Sequence, residues 1–241
     1  EGPERDAFIA GLKAKPPTSF YGGEVYDKSR TPAEIEGFRY ALHETMDLWY
    51  AHQGTTVYML TTLPEGATRK IGYDLSGWTT YERCSAEQIK KVYLYDAKWK
   101  LVLDLGWSEG EAAAKARNWP IGPDDFDTMI KEKQFTNGAD HETVTELFRK
   151  MSINQLGGIK MLDFTGISVP TVQDATQLGR CLNLCRNLEV LDLTSVGLTA
   201  DTCNALFSNL TNEAQIKELR CVLVRSSFLC YWHTEKGVSS P

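Results

Sequence analysis

Apolar positions recur along this chain with two different spacings, and the plainest recurrence lies in its second half. Ile159-Lys160-Met161-Leu162-Asp163-Phe164, Leu188-Glu189-Val190-Leu191-Asp192-Leu193 and Ile216-Lys217-Glu218-Leu219-Arg220-Cys221 each carry apolar side chains at the first, fourth and sixth positions, and their starts are 29 and then 28 residues apart. A fixed period of this length predicts a solenoid, because one such unit cannot bury its own apolar face and must share it with the next. Helical spacing follows each of the first two strands. After Phe164, Thr171 is placed to cap a helix bearing Ala175, Leu178 and Leu182; after Leu193, Thr199 caps one bearing Cys203, Leu206 and Leu210. A fainter unit precedes them, with Ile130, Lys133 and Phe135 standing 29 residues before Ile159, Leu162 and Phe164. Residues 124–151 therefore read as a capping element, with a helix from Asp140 to Met151 that turns Val144, Leu147, Phe148 and Met151 inward.

The first half alternates helix and strand. Thr31-Pro32-Ala33-Glu34 combines a capping box with proline at the first helical position, and Ile35, Phe38, Leu42, Met46 and Trp49 follow at helical spacing, which predicts one helix running to about His52. Thr55 to Thr61 is β-branched and aromatic and reads as a buried strand. A loop leads to a helix over Trp78 to Lys91, capped at Ser76, and Lys100 to Leu105 is the next strand, with Val92 to Tyr95 as an extra edge. This order predicts a small α/β layer with a parallel sheet. Phe20 to Tyr26 reads as a strand and turn, and Glu111 to Arg117 is a strong helix former. Trp119-Pro120-Ile121-Gly122-Pro123 then marks the boundary. The expected division is 1–118 for the α/β domain, 119–151 for hinge and cap, and 152–241 for the repeats with an irregular tail.

Composition narrows the function classes. The net charge is -6, with 26 Lys and Arg scattered among 32 Asp and Glu, so the clustered positive charge that phosphate neutralisation requires is missing and nucleic acid is not an expected partner. No run approaches the length of a membrane span. The amino end is charged and lacks both an initiator Met and the apolar core of a signal peptide, which fits a fragment of a longer chain. Six cysteines show no C-x-x-C pair, and four lie in or beside the repeats, where a thiol packs as a small hydrophobe; a reducing, cytoplasmic compartment is expected. The tail ends the array abruptly on Phe228 to His233, so that it folds over the last repeat, is covered by another chain, or continues differently in the natural protein.

Period and content of residues 152–221 resemble the ribonuclease-inhibitor-like class of leucine-rich repeats. That resemblance implies a curved sheet with helices outside and recognition of a protein partner on the concave side. The side chains between the apolar anchors would form the binding row: Lys160, Met161 and Asp163, then Glu189, Val190 and Asp192, then Lys217, Glu218 and Arg220. A merely solvated sheet face is the alternative. Over residues 31–105, helix, strand, loop and a helix opening Trp78-Thr79-Thr80-Tyr81-Glu82 look like the centre of a TIR-like (Toll/interleukin-1 receptor-like) domain. In enzymatic members of that family a W-x-x-x-E turn carries the glutamate that cleaves NAD, and the resemblance would make Trp78 and Glu82 the catalytic pair. Four residues apart on a helix, they would present an aromatic plane and a carboxylate to one cavity. The competing assignment makes Trp78 a core anchor and Glu82 a solvated residue. No cofactor is otherwise implied, and no metal set beyond the irregular Cys221, Cys230 and His233. The expectation is an α/β protein whose repeat face serves as a binding or scaffolding module, against NAD hydrolysis at Glu82 or a structural subunit of a larger assembly.

Overall fold

The structure is a computed structural model, and it describes residues 31–63, 65–67, 71–94, 99–106, 117–167, 171–211, 216–223 and 229–233. The segments expected over Phe20 to Tyr26 and Glu111 to Ala116 lie outside these. The chain divides into two compact units, Glu1–Met46 and Asp47–Pro241.

In the first unit α1 spans Pro32–Glu44 and starts with the expected capping box, Thr31 and Glu34 exchanging bonds between side chain and backbone. It does not continue to His52. Thr45 closes it, with both its N–H and its hydroxyl returning to the Ala41 carbonyl, and a separate helix, α2 (Met46–Ala51), follows. No residue of α1 is buried, and Phe38 is 51% exposed. Ile35, Phe38 and Leu42, though helically spaced, therefore form no buried face in α1.

The second unit is α/β. β1 (Val57–Met59) pairs parallel with β4 (Val102–Asp104) across a crossover that contains α3 (Gly77–Ala86) and the antiparallel pair β2 (Tyr93–Leu94) and β3 (Trp99–Lys100). Val57, Met59, Ala86 and Val102 form the core of this layer, with Tyr50 and Tyr73 packed against it. Two further helices follow, α4 (Pro123–Ile130) and α5 (Asp140–Gly158). Phe148 of α5 stacks on Phe126 of α4 at 3.8 Å and meets Tyr81 of α3 edge-on. α5 runs seven residues past the expected end at Met151, and Ser152 and Leu156 are buried on it, so the capping helix and the first part of the repeat region are one element.

Then comes a four-stranded sheet in the order β5 (Met161–Asp163), β6 (Val190–Leu198), β7 (Glu218–Leu223), β8 (Leu229–His233). The first three strands are parallel and joined by α6 (Val172–Leu182) and α7 (Ala200–Ser208). Their register is the period of the sequence: Leu162 stands opposite Leu191, and Leu191 opposite Leu219. Leu162, Phe164, Leu188, Leu191 and Leu193 are nearly or fully buried in one cluster with Leu178 and Leu182 of α6 and Leu206 of α7. Each such aliphatic side chain contributes about 1.5–3 kcal/mol relative to exposure. The same cluster takes in Ile89, Val92 and Trp119, so apolar packing runs across the Pro/Gly segment.

Local chemistry repeats with the strands. Asp163 and Asp192 each accept from the N–H two residues on, Thr165 at 3.0 Å and Thr194 at 2.9 Å. The next residue is left-handed in both turns, Gly166 at φ 81° and Ser195 at φ 59°, and the one after that, Ile167 or Val196, is buried. Thr171 and Thr199 cap α6 and α7 as expected, each through a capping box that the sequence reading did not name. The Asn183 side chain at the end of α6 gives its amide to the Asn209 carbonyl and takes the Thr211 N–H, tying one helix end to the next.

Two expectations are corrected at the ends of this sheet. Residues 130–135 do not supply an earlier rung: Gln134 forms a parallel bridge with Ser76, bonding Leu75 and Gly77, and the Phe135 ring fills the space where any side chain at position 77 would stand. Steric fit to Gly77 outweighs the apolar register. The tail, by contrast, joins the sheet. β8 pairs antiparallel with β7, placing Cys230 opposite Cys221 and His233 opposite Glu218. β8 thereby lies along the edge of β7 as the fourth strand of the sheet.

Candidate functional site: the outward row of the parallel sheet

Alternation along β5, β6 and β7 sends the apolar anchors inward, so the residues between them point to the other face. Register then lines up Met161, Val190 and Glu218 in one cross-strand row and Asp163, Asp192 and Arg220 in the next. Lys160, Glu189 and Lys217 lead into the strands, where the Glu189 and Val190 N–H groups both bond the Lys160 carbonyl. The structure thus places six of the nine expected residues on three adjacent strands and the other three, Lys160, Glu189 and Lys217, immediately before them.

The charges on this face compensate one another. Lys217 bonds Glu189 at 2.9 Å, Arg220 bonds Glu218 at 2.7 Å and reaches Asp192 at 3.4 Å, and Lys91 pairs with Asp163 at 3.3 Å. The Lys217 bond holds the Glu189 carboxyl below its usual range, and the Glu218 bond raises Arg220. Burial works to raise Asp163, but the Thr165 hydroxyl and amide and then Lys91 leave it low. Asp163 and Asp192 are thereby structural as well as outward, each spending an oxygen on its own turn. Met161, Val190, Lys160 and Lys217 remain the residues that a partner could engage without unpicking a turn.

Trp78 and Glu82 lie on α3 but serve different neighbours. The Trp78 indole donates to Asp140 of α5 at 2.9 Å and meets Tyr81 edge-on, whereas Glu82 accepts from the Tyr50 hydroxyl at 2.9 Å. Burial raises the Glu82 carboxyl, and the Tyr50 bond opposes it; burial followed by Glu82 raises Tyr50 in turn. Asp74, the loop aspartate before this helix, is paired with Arg83 at 2.5 Å. A cleft of about 420 Å³ is lined by His52, Gln53, Ile89, Asn154 and Gln155 among others, and neither Trp78 nor Glu82 lines it.

Sequence reasoning missed a buried polar turn. Glu87, Gln88 and Lys90 follow α3 and are almost wholly buried, as is Arg117. Glu87 accepts from the Asn118 N–H at 2.9 Å and Gln88 donates to the Ile121 carbonyl at 2.7 Å, while the Lys90 ammonium donates to the His52 carbonyl. Nothing in E-Q-I-K distinguishes a buried cation from a solvated one. Burial, then Arg117, pushes Lys90 from 10.5 down to about 8, and burial pushes Arg117 to about 10 against the pull of Glu87 and Asp163. A base whose folded pKa is depressed stabilises the fold above its unfolded pKa and loses that contribution as pH falls through the folded one. Stability due to Lys90 should therefore climb between pH 8 and pH 10.5. Urea midpoints of wild type against Lys90→Met should diverge by about 2 kcal/mol in favour of wild type on going from about pH 7.5 to about pH 9.5. A difference that stays flat over that interval would show the ammonium to be solvated.

Among the described residues no set of His, Cys, Asp and Glu is placed to hold a metal, and no helix is long and apolar enough to cross a membrane. The side chains of Cys230 and His233 fall outside the description. Comparison with family models, curated proteins and solved structures returned no match.

Proposed function

We propose that this chain is a protein-binding or scaffolding module whose partner docks on the outward row of β5, β6 and β7, and that these strand-helix units are a short leucine-rich-repeat solenoid. The observation that carries the reading is the in-register stacking of three repeat-spaced parallel strands, which sets Met161 beside Val190 and Lys160, Glu189 and Lys217 along the same margin. A flat row of mutually compensated charges around an apolar strip suits a protein surface of low net charge, because such a partner does not leave ion pairs stripped of water and unmatched. Exposed faces on a rigid scaffold are where binding is usually placed. Cys84, Cys181 and Cys185 are unbridged, which supports a reducing, cytoplasmic setting for that partner.

The test compares two double variants in quantitative affinity capture. Met161→Glu with Lys217→Glu alters the row, while Gln173→Glu with Asn204→Glu alters exposed positions of α6 and α7. The sheet variant should lose its specific partners by about tenfold or more, a change of about 1.4 kcal/mol, with the helix variant unchanged. Loss in the helix variant with full retention in the sheet variant would place recognition on the helices instead.

A further inference from the structure

The cleft of about 420 Å³ lies where three stretches of the second unit meet: the residues after α2, the turn after α3 and the last turn of α5. Its base is aliphatic, since Ile89 is buried and Ile159 packs against the same core cluster. Around that base stand His52, Gln53, Asn154 and Gln155, and among the described residues no Lys, Arg, Asp or Glu lines the cleft. Its polar groups are unspent. The Gly54 N–H donates to Nδ1 of His52 at 3.1 Å, which leaves the proton of the neutral ring on Nε2 as a donor. The carboxamides of Gln53, Asn154 and Gln155 make no side-chain hydrogen bond among the described residues, and each offers both a donor and an acceptor. Gly158 stands four positions after Asn154 and three after Gln155, so it shares their side of α5. A Cβ on it would meet nothing within 4 Å, and its backbone is open to close approach.

We propose that this cleft binds an uncharged peptide unit, whose C=O and N–H are taken by the carboxamides of Asn154 and Gln155 while an attached aliphatic group lies on Ile89 and Ile159. A carboxamide and a peptide unit are mutual complements, each satisfying the other's donor and acceptor. An anion is disfavoured, because the cleft opens at the C-terminal end of α5, where the helix carries partial negative charge, and no cationic side chain lines it. A cation finds neither a carboxylate nor an aromatic face among the lining residues. The volume falls within the range of about 300–1,000 Å³ in which an apolar lining with a few placed polar groups holds a small ligand. None of the nine residues of the outward row lines the cleft, so the site is separate from that surface.

The full chain is titrated with N-acetyl-leucinamide, read by calorimetry and by the side-chain NH2 signals of Asn154 and Gln155 in nitrogen-proton NMR spectra. N-acetyl-leucine, leucinamide and glucose serve as anionic, cationic and sugar arms. The neutral amide should bind saturably, one per chain, and shift both NH2 signals, with each charged relative about fivefold weaker or more. Asn154→Leu with Gln155→Met keeps the size of both side chains without their bonds and should weaken the Kd by about tenfold or more. Gly158→Leu, whose side chain has open space to enter, should block the cleft without lowering the Tm, and Gln173→Glu on α6 should change nothing. A blocked tripeptide with the same central leucine that binds more tightly than the single amide supports a polypeptide as the source of the unit, and equal binding supports a small amide. No saturable binding, equal binding of N-acetyl-leucine, tighter binding of glucose, or an unchanged Kd in both cleft variants would each overturn the assignment.

Discussion

Alanine in place of Gly179 should destabilise this protein, although the same exchange inside an ordinary helix stabilises it by about 0.5–1 kcal/mol. Gly179 is buried within α6, and a Cβ there would run into the backbone carbonyl oxygen of Leu206 on α7 and the Cβ of Asn209 behind it. The obstacle is backbone, which cannot swing aside as a flexible side chain would. The two helices must separate, and overpacking of this kind costs about 1–3 kcal/mol after the propensity gain is absorbed. A thermal melt is sufficient to decide. A Tm that falls by several degrees supports close stacking of α6 on α7, and one that rises would mean that these helices do not touch at this point.

The second large effect is expected at Leu191. This side chain is completely buried, with Leu162 opposite it on one side and Leu219 on the other. Leu191→Ala should cost about 2–5 kcal/mol through lost transfer energy and the cavity left behind, or about 10 °C in Tm for a chain of this size. Thr199→Ala makes a useful comparison. It removes the capping interaction with Thr202, worth about 1 kcal/mol, and should move the Tm by only about 3 °C. Equal shifts for the two variants would count against shared burial between successive strands.

These contrasts show which features can be read from a linear chain. Thr31, Thr171 and Thr199 were recognisable as caps because a capping box closes within four residues and depends on nothing distant. The inward positions of β5 and β6 were recognisable because side-chain direction in a strand alternates by geometry alone. Features governed by remote partners were not. α5 absorbs Ser152 to Gly158, and Gln134 finds Ser76 rather than β5. For the candidate site the same distinction holds. Six of the nine candidate residues, Met161, Asp163, Val190, Asp192, Glu218 and Arg220, followed from alternation, whereas the double duty of Asp163 and Asp192 depends on turns that only the folded backbone forms. Arg117 and Lys90 lay outside every motif, since a cation's burial depends on what folds over it.

The amino-acid sequence by itself determined the strand-helix alternation, the 28- and 29-residue spacing of the rungs and the capped starts of α1, α6 and α7, because each follows from covalent geometry and short-range hydrogen bonding. Tertiary structure alone decided that β8 would close the sheet in the antiparallel sense, that Trp78 and Glu82 would turn to Asp140 and Tyr50, and that two cations would be sealed beside one carboxylate. Those outcomes rest on competition among distant surfaces for the same buried space, and only the packed chain resolves it.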